Sequence, residues 1–114
     1  MRLVEDAALA EWLQRLTGAP EDFQWDAGNR TKHLKHRVQP TDVEGMFQKR
    51  TLFLGRIVEP AYDEDRALLL GRAPDARPLA LIFTRRGEQL RPVSCRPMRS
   101  NERKLYEEAC KEDH

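Results

Sequence analysis

The chain has 114 residues, of which 39% are hydrophobic and 34% charged, with a formal net charge of +1. That length fits one compact domain with a modest core and asks for no second one. No apolar run approaches the roughly 18 residues a membrane span needs, and Glu5 and Asp6 stand where a secretory leader carries lysine or arginine, so a cytoplasmic protein with no membrane partner is expected.

Charge is distributed unevenly. Residues 1–22 set Glu5, Asp6, Glu11, Glu21 and Asp22 against Arg2 and Arg15. Residues 30–37 carry Arg30, Lys32, Lys35 and Arg37 with no acid among them, and from Arg85 to Lys104 the cations far outnumber Glu88 and Glu102. Clustered cations of this kind suit phosphate binding, although the solvated faces of ordinary elements carry the same signature. Cys95 and Cys110 sit in no C-x-x-C or histidine-spaced pattern, so no metal site is expected and both read as reduced core cysteines.

Leu9, Trp12, Leu13 and Leu16 recur at helical spacing until Gly18-Ala19-Pro20 breaks the pattern, which predicts an amphipathic helix over residues 1–17. Phe23-Gln24-Trp25 alternates like a short strand, and Asp26 or Asn29 can cap a short helix over 27–35. Thr41 and Glu44 form a capping box for a helix burying Val43, Met46 and Phe47. The texture then turns extended. Thr51–Val58, Arg66–Arg72, Pro78–Thr84 and Glu88–Arg96 are apolar runs divided by turn-forming stretches too short for helical crossovers, so an antiparallel sheet is predicted. Gly55 suggests a bulge, and Pro92 places a bend or an edge in the last strand. Ser100 can cap a final helix from Asn101 to about Glu112, with Leu105, Tyr106 and Ala109 or Cys110 facing inward. The fold class is α+β, with helices gathered against one sheet of four to five strands.

Several of these motifs together resemble a known family. Phe23-Gln24-Trp25-Asp26, Asn29 and Lys35-His36-x-Val38 are similar to the opening "F-x-W-D … K-H-G-V" of BrnT-type toxins. Val43 and Met46-Phe47 continue the match. Glu64-x-Arg66 with Gly71-Arg72, Thr84-x-Arg86, Arg91-Pro92-Val93-Ser94-Cys95-Arg96 and Glu102-Arg103-x-x-Tyr106 follow in the family's order. The resemblance runs from about residue 23 to 109, which divides the chain into an N-terminal extension, 1–22, and a toxin domain, 23–114. Arg37 replaces the family's glycine, so that turn must form without easy access to positive φ. Pro92 replaces an aliphatic strand residue.

The resemblance implies a RelE-like fold and metal-independent endoribonuclease activity that stops translation, with no cofactor. It also implies neutralisation by a BrnA-like protein antitoxin, which alone links the chain to DNA. Such cleavage needs a base for the 2′-OH, cations for the phosphorane-like transition state and an acid for the leaving 5′ oxygen. Arg86 and Arg96 are the candidates to grip the scissile phosphate, with Glu102 or His36 as the acid–base group. Lys32, Lys35, Arg66, Arg91, Arg99 and Arg103 are the candidates to hold the RNA backbone.

Plainer roles exist for each residue: Glu102 at a helix start favours the helix dipole, His36 packs or caps, Arg103 pairs with Glu107, and Tyr106 fills the core. Two other readings of the chain compete. One is a diverged module that binds RNA or the antitoxin without cutting; the other is a domain whose N-terminal helix serves assembly.

Overall fold

The computed structural model describes residues 1–31 and 34–112. Its centre is an antiparallel sheet of five strands in the order β1-β2-β3-β4-β5: Arg2–Val4, Leu52–Glu59, Arg66–Arg72, Pro78–Arg86 and Gln89–Pro97. The three helices are α1 (Ala7–Leu13), α2 (Pro40–Met46) and α3 (Ser100–Glu112), with 3-10 turns at Pro20–Asp22 and Leu34–His36. β2 to β5 follow one another through short connections, whereas β1 pairs with β2 across residues 5–51, which carry α1 and α2. This is the α+β architecture expected. No helix among the described residues is long and apolar enough to cross a membrane.

The four long apolar runs fold as β2 to β5 within two residues of their predicted ends. The β4–β5 turn is the tightest. Arg86 pairs with Gln89, leaving Gly87 and Glu88 as the loop. Gly87 takes φ +62 at the first loop position, where the twist-matched hairpin turn wants glycine. At Pro92 the register shifts so that Phe83 opposes Pro92 and Ile82 opposes Ser94. Val93 is thus the extra residue of a bulge, on an edge strand that tolerates the missing proline N–H.

Gly55 marks a second bulge, in β2, with φ +135. A Cβ there would stand 2.6 Å from the Val4 carbonyl oxygen, so glycine lets β1 lie against β2. Gly55→Ala is expected to destabilise the fold by about 2 kcal/mol through this clash and the unfavourable φ. Urea unfolding measures it, and an unchanged midpoint would mean that β1 detaches freely.

Side chains alternate across the sheet and build a core on each face. On the first face Leu69, Leu81, Phe83, Leu90 and Cys95 pack under Trp12, Leu13, Phe23, Val43 and Met46 from the segments before β2. On the second, Leu68, Leu70 and Ala80 pack with Met98 and with Tyr106 of α3. The Tyr106 hydroxyl donates to the Arg50 carbonyl at 2.6 Å, tying α3 to the start of β2. The cysteines are free and lie on opposite sides. Burial pushes the Cys95 thiol up to about 12, whereas Cys110 is half-buried against the second core.

Several local expectations give way, among them Leu105 of α3, expected to face inward but exposed. The first segment is not one helix: Arg2–Val4 pair with β2, and Asp6 starts α1 by accepting the Leu9 N–H at 3.0 Å. Residues 23–30 hold a single parallel bridge, Phe23 to Leu90, and a turn in place of a strand and helix. Asn29, 1% exposed, forms that turn with Asp26 and donates to the Gln24 and Pro92 carbonyls, so its side chain staples the segment to β5. Helix α2 begins at Pro40, with Asp42 capping Gln39 N–H at 2.9 Å. Glu44 is thereby released to accept from Trp25 Nε1 at 3.0 Å. Arg37 takes a positive φ, +59, without being glycine, and its carbonyl accepts from Arg77 Nη1 at 2.8 Å.

Candidate active site

Helix α3 covers one end of the second sheet face, and the other end is where the cations gather. The β3–β4 register explains why. The ladder ends where Ala67 opposes Phe83; Arg66 and Thr84 are the next residues along their strands, and Glu64, in the bend before β3, reaches Arg86 through its side chain. Thr84 also opposes Arg91 on β5. Arg66, Thr84 and Arg91 therefore form a row across three strands, spanning about 10 Å. Arg66 and Arg91 line, with Asn29, Glu64, Arg86, Pro92 and Val93, a cleft of about 210 Å³; Thr84 is buried in the sheet between them.

Each group in the row is held from a different direction. Thr84 Oγ1 donates to the Asp65 carbonyl at 2.7 Å and fixes the chain entering β3. Arg86 grips Glu64 in a fork, Nε to Oε2 at 2.8 Å and Nη2 to Oε1 at 2.9 Å. The Arg86 hydrogen bond holds the Glu64 carboxyl below the usual carboxylate range despite some desolvation, and Glu64 in turn raises Arg86. Arg91 donates to Asp26 at 2.8 Å and shares Gln24 Oε1 with Arg86. Arg66 differs from both. It makes no ion pair among the described residues; its guanidinium lies 4.0 Å above the Tyr62 ring, and its buried Nε has no hydrogen-bond partner there.

Arg96 and Glu102, placed in the site by sequence, face each other under α3. Arg96 Nη1 and Nη2 donate to the two Glu102 oxygens at 2.7 and 2.9 Å, and Arg99 N–H adds a third bond at 2.7 Å. Burial pushes the Glu102 carboxyl up, but the hydrogen bonds from Arg96 and Arg99 outweigh it and leave the group below its ordinary value. Arg96 opposes Ala80, six residues from Arg86 along β4, or about 20 Å of strand. The structure does not bring Arg86 and Arg96 to one phosphate.

His36 and Lys35 lie in the 3-10 turn beside β5, before Arg37 and its Arg77 contact. Among the described residues His36 makes no hydrogen bond or ion pair to Arg86, Arg91, Arg96 or Glu102. Lys32 lies outside the described residues. Arg99 is exposed just before α3 and Arg103 on its first turn, and Arg103 approaches Glu107 only to 4.0 Å.

A larger cleft, of about 360 Å³, opens on the other side of the Glu64–Arg66 rim under α1. Its charges are mixed, with Asp6 paired to Arg56 at 3.4 Å and Arg85 spread over the Trp12 ring. The smaller cleft is the better candidate despite its size, because it alone gathers Arg66, Arg86 and Arg91 around one accessible carboxylate. Glu64 is the functional candidate that sequence reasoning passed over as chemistry. Its signal was present in the paired motifs Glu64-x-Arg66 and Thr84-x-Arg86, which meet at the entry to β3 and the end of β4.

A family model described as the ribonuclease toxin BrnT of type II toxin–antitoxin systems matches residues 25–102. The chain belongs to the BrnT family. No curated protein and no solved structure matches it. The matched span of this BrnT chain includes the whole cationic cleft and ends at Glu102, while β1 and α1 lie before it. The family is one of RNA-cutting toxins countered by a protein antitoxin, and the cleft has the charge and the exposure for an RNA phosphate.

Proposed function

We propose that this BrnT toxin cleaves single-stranded RNA without a metal ion, with Glu64 as general base and Arg66, Arg86 and Arg91 as the phosphate-binding groups. Glu64 takes the proton from a ribose 2′-OH, and the 2′ oxygen attacks the adjacent phosphorus. The bond from phosphorus to the 5′ oxygen breaks, that oxygen takes a proton from solvent water, and a 2′,3′-cyclic phosphate remains. Glu64 then returns its proton to solvent. Arginine suits the middle of this sequence because its planar fork binds phosphate oxygens in pairs and stays charged. The gathering of these cations around an exposed, ionised carboxylate carries the reading.

Asp26 and Glu64 hold Arg91 and Arg86 in place of the phosphate, and RNA exchanges with them as it enters. Lys32, Lys35, Arg99 and Arg103 contact the RNA backbone on either side. Arg96 and Glu102 act together as a positioning pair that sets α3 on the sheet. In the cytoplasm the consequence is arrested translation, relieved by a BrnA-like antitoxin that also carries the complex to DNA.

The experiment is incubation of purified protein with single-stranded RNA in excess chelator. Cleavage is expected to persist and to yield cyclic phosphate ends. Arg86→Ala is expected to slow it by about 10²-fold with an unchanged circular dichroism spectrum. Cleavage abolished by the chelator overturns the metal-independent mechanism. RNA bound but left intact by the wild type overturns cleavage altogether and favours the diverged binding module.

A further inference from the structure

We infer that Tyr62 is a stacking platform for an unpaired base next to the scissile phosphate, an assignment that rests on the ribonuclease reading above. Tyr62 lies between β2 and β3, two residues before Glu64, and stays 38% exposed. A tyrosine that serves packing buries its ring and satisfies its hydroxyl. This one does neither: its hydroxyl makes no hydrogen bond among the described residues, and its one ring contact there is the Arg66 guanidinium, 4.0 Å from the centroid.

Arg66 connects the ring to the chemistry. It lines the cleft with Arg86 and Arg91, yet it spends its planar face on Tyr62 and not on a carboxylate. The result is an aromatic surface propped on Arg66, one of the cations that line the cleft. Single-stranded nucleic acids are held by this combination, because every base has a π face while the cations track the backbone. A duplex keeps its bases stacked on one another and offers none to the ring. The occupant is therefore a nucleotide of unpaired RNA whose phosphate sits among Arg66, Arg86 and Arg91. The contact discriminates single strands from duplex without reading a particular base.

The probe is a short single-stranded oligonucleotide, 2′-O-methylated so that it resists cleavage, carrying 2-aminopurine along its length and a fluorescein at one end. Anisotropy of the fluorescein reports binding, and quenching of 2-aminopurine reports stacking. Wild type and Tyr62→Phe are expected to bind equally and to quench severalfold. Tyr62→Ala is expected to bind about tenfold more weakly and to leave most of the 2-aminopurine emission intact at saturation. On cleavable RNA the same variant is expected to raise KM with kcat within about twofold, the mark of an interaction made equally before and during the reaction.

Binding by Tyr62→Ala with full quenching and unchanged affinity would overturn the platform and leave the ribonuclease reading standing. A Tyr62→Phe variant as weak as Tyr62→Ala would overturn it too, since the hydroxyl and not the ring would then be responsible. No binding by the wild type would overturn both readings. The ring lies on the surface between strands, so its loss leaves the cores untouched.

Discussion

Glu64→Gln is expected to lower the turnover of single-stranded RNA by about 10²- to 10⁴-fold, the range in which a positioned general base acts. The amide still accepts a hydrogen bond from Arg86, so the cleft keeps its shape while losing the group that takes the 2′-OH proton. The Glu64–Arg86 pair is exposed at 42% on both side chains. Such surface pairs contribute little, and the melting temperature should stay within about 3 °C of wild type. Glu64→Asp keeps a carboxylate on a shorter arm and is expected to recover part of the rate. The pH profile adds a separate reading. In the free protein Arg86 holds the Glu64 carboxyl below the usual range, so the base enters the reaction ionised at neutral pH and the acid limb of kcat/KM lies below the ordinary carboxylate range. A Glu64→Gln protein within tenfold of wild-type turnover would reduce Glu64 to a brace for Arg86.

The sheet was legible because β2 to β5 are long, apolar and separated by strong turn signals, and Gly55 and Pro92 announced the bulges found there. β1 was not, since three residues on an edge carry no measurable alternation and the helical pattern of Leu9 to Leu16 drew the whole segment into one element. Asn29 shows a similar limit. Its side chain could cap a helix locally, but the carbonyl of Pro92, far along the chain, offered a buried partner and won. Tertiary hydrogen bonds decide such short polar segments, and single-sequence propensity does not see them.

The site divides along the same line. Arg66, Arg86 and Arg91 were nominated by residue chemistry and by the resemblance, and they meet at one cleft. Glu64 was quoted only as part of a motif, because its role depends on a side-chain contact with Arg86, 22 residues away, made from the bend before β3. Arg96 and Glu102 looked catalytic for the converse reason. Two charged residues six apart, across a strand end and a helix start, gave no sign in sequence that they satisfy each other.

Arg96→Ala should therefore act on stability before it acts on catalysis. The Glu102 side chain is 6% exposed and Arg96 19%, and removing one partner of a buried pair costs about 3–5 kcal/mol because the other charge stays behind. Replacing both by apolar residues, Arg96→Met with Glu102→Leu, is expected to recover most of that loss. In the wild type the folded Glu102 carboxyl sits below its unfolded value, so the pair contributes fully above about pH 4.3 and its contribution fades as pH falls through the lower folded value. In Arg96→Ala burial dominates and raises the Glu102 carboxyl, so acidification neutralises a stranded charge and relieves the variant. The gap in urea midpoint between the two proteins is expected to narrow from pH 7 towards the ordinary carboxylate range. A gap that stays constant would show that Arg96 stabilises by packing alone. Cleavage that falls much further than the folded fraction would return Arg96 to the phosphate site.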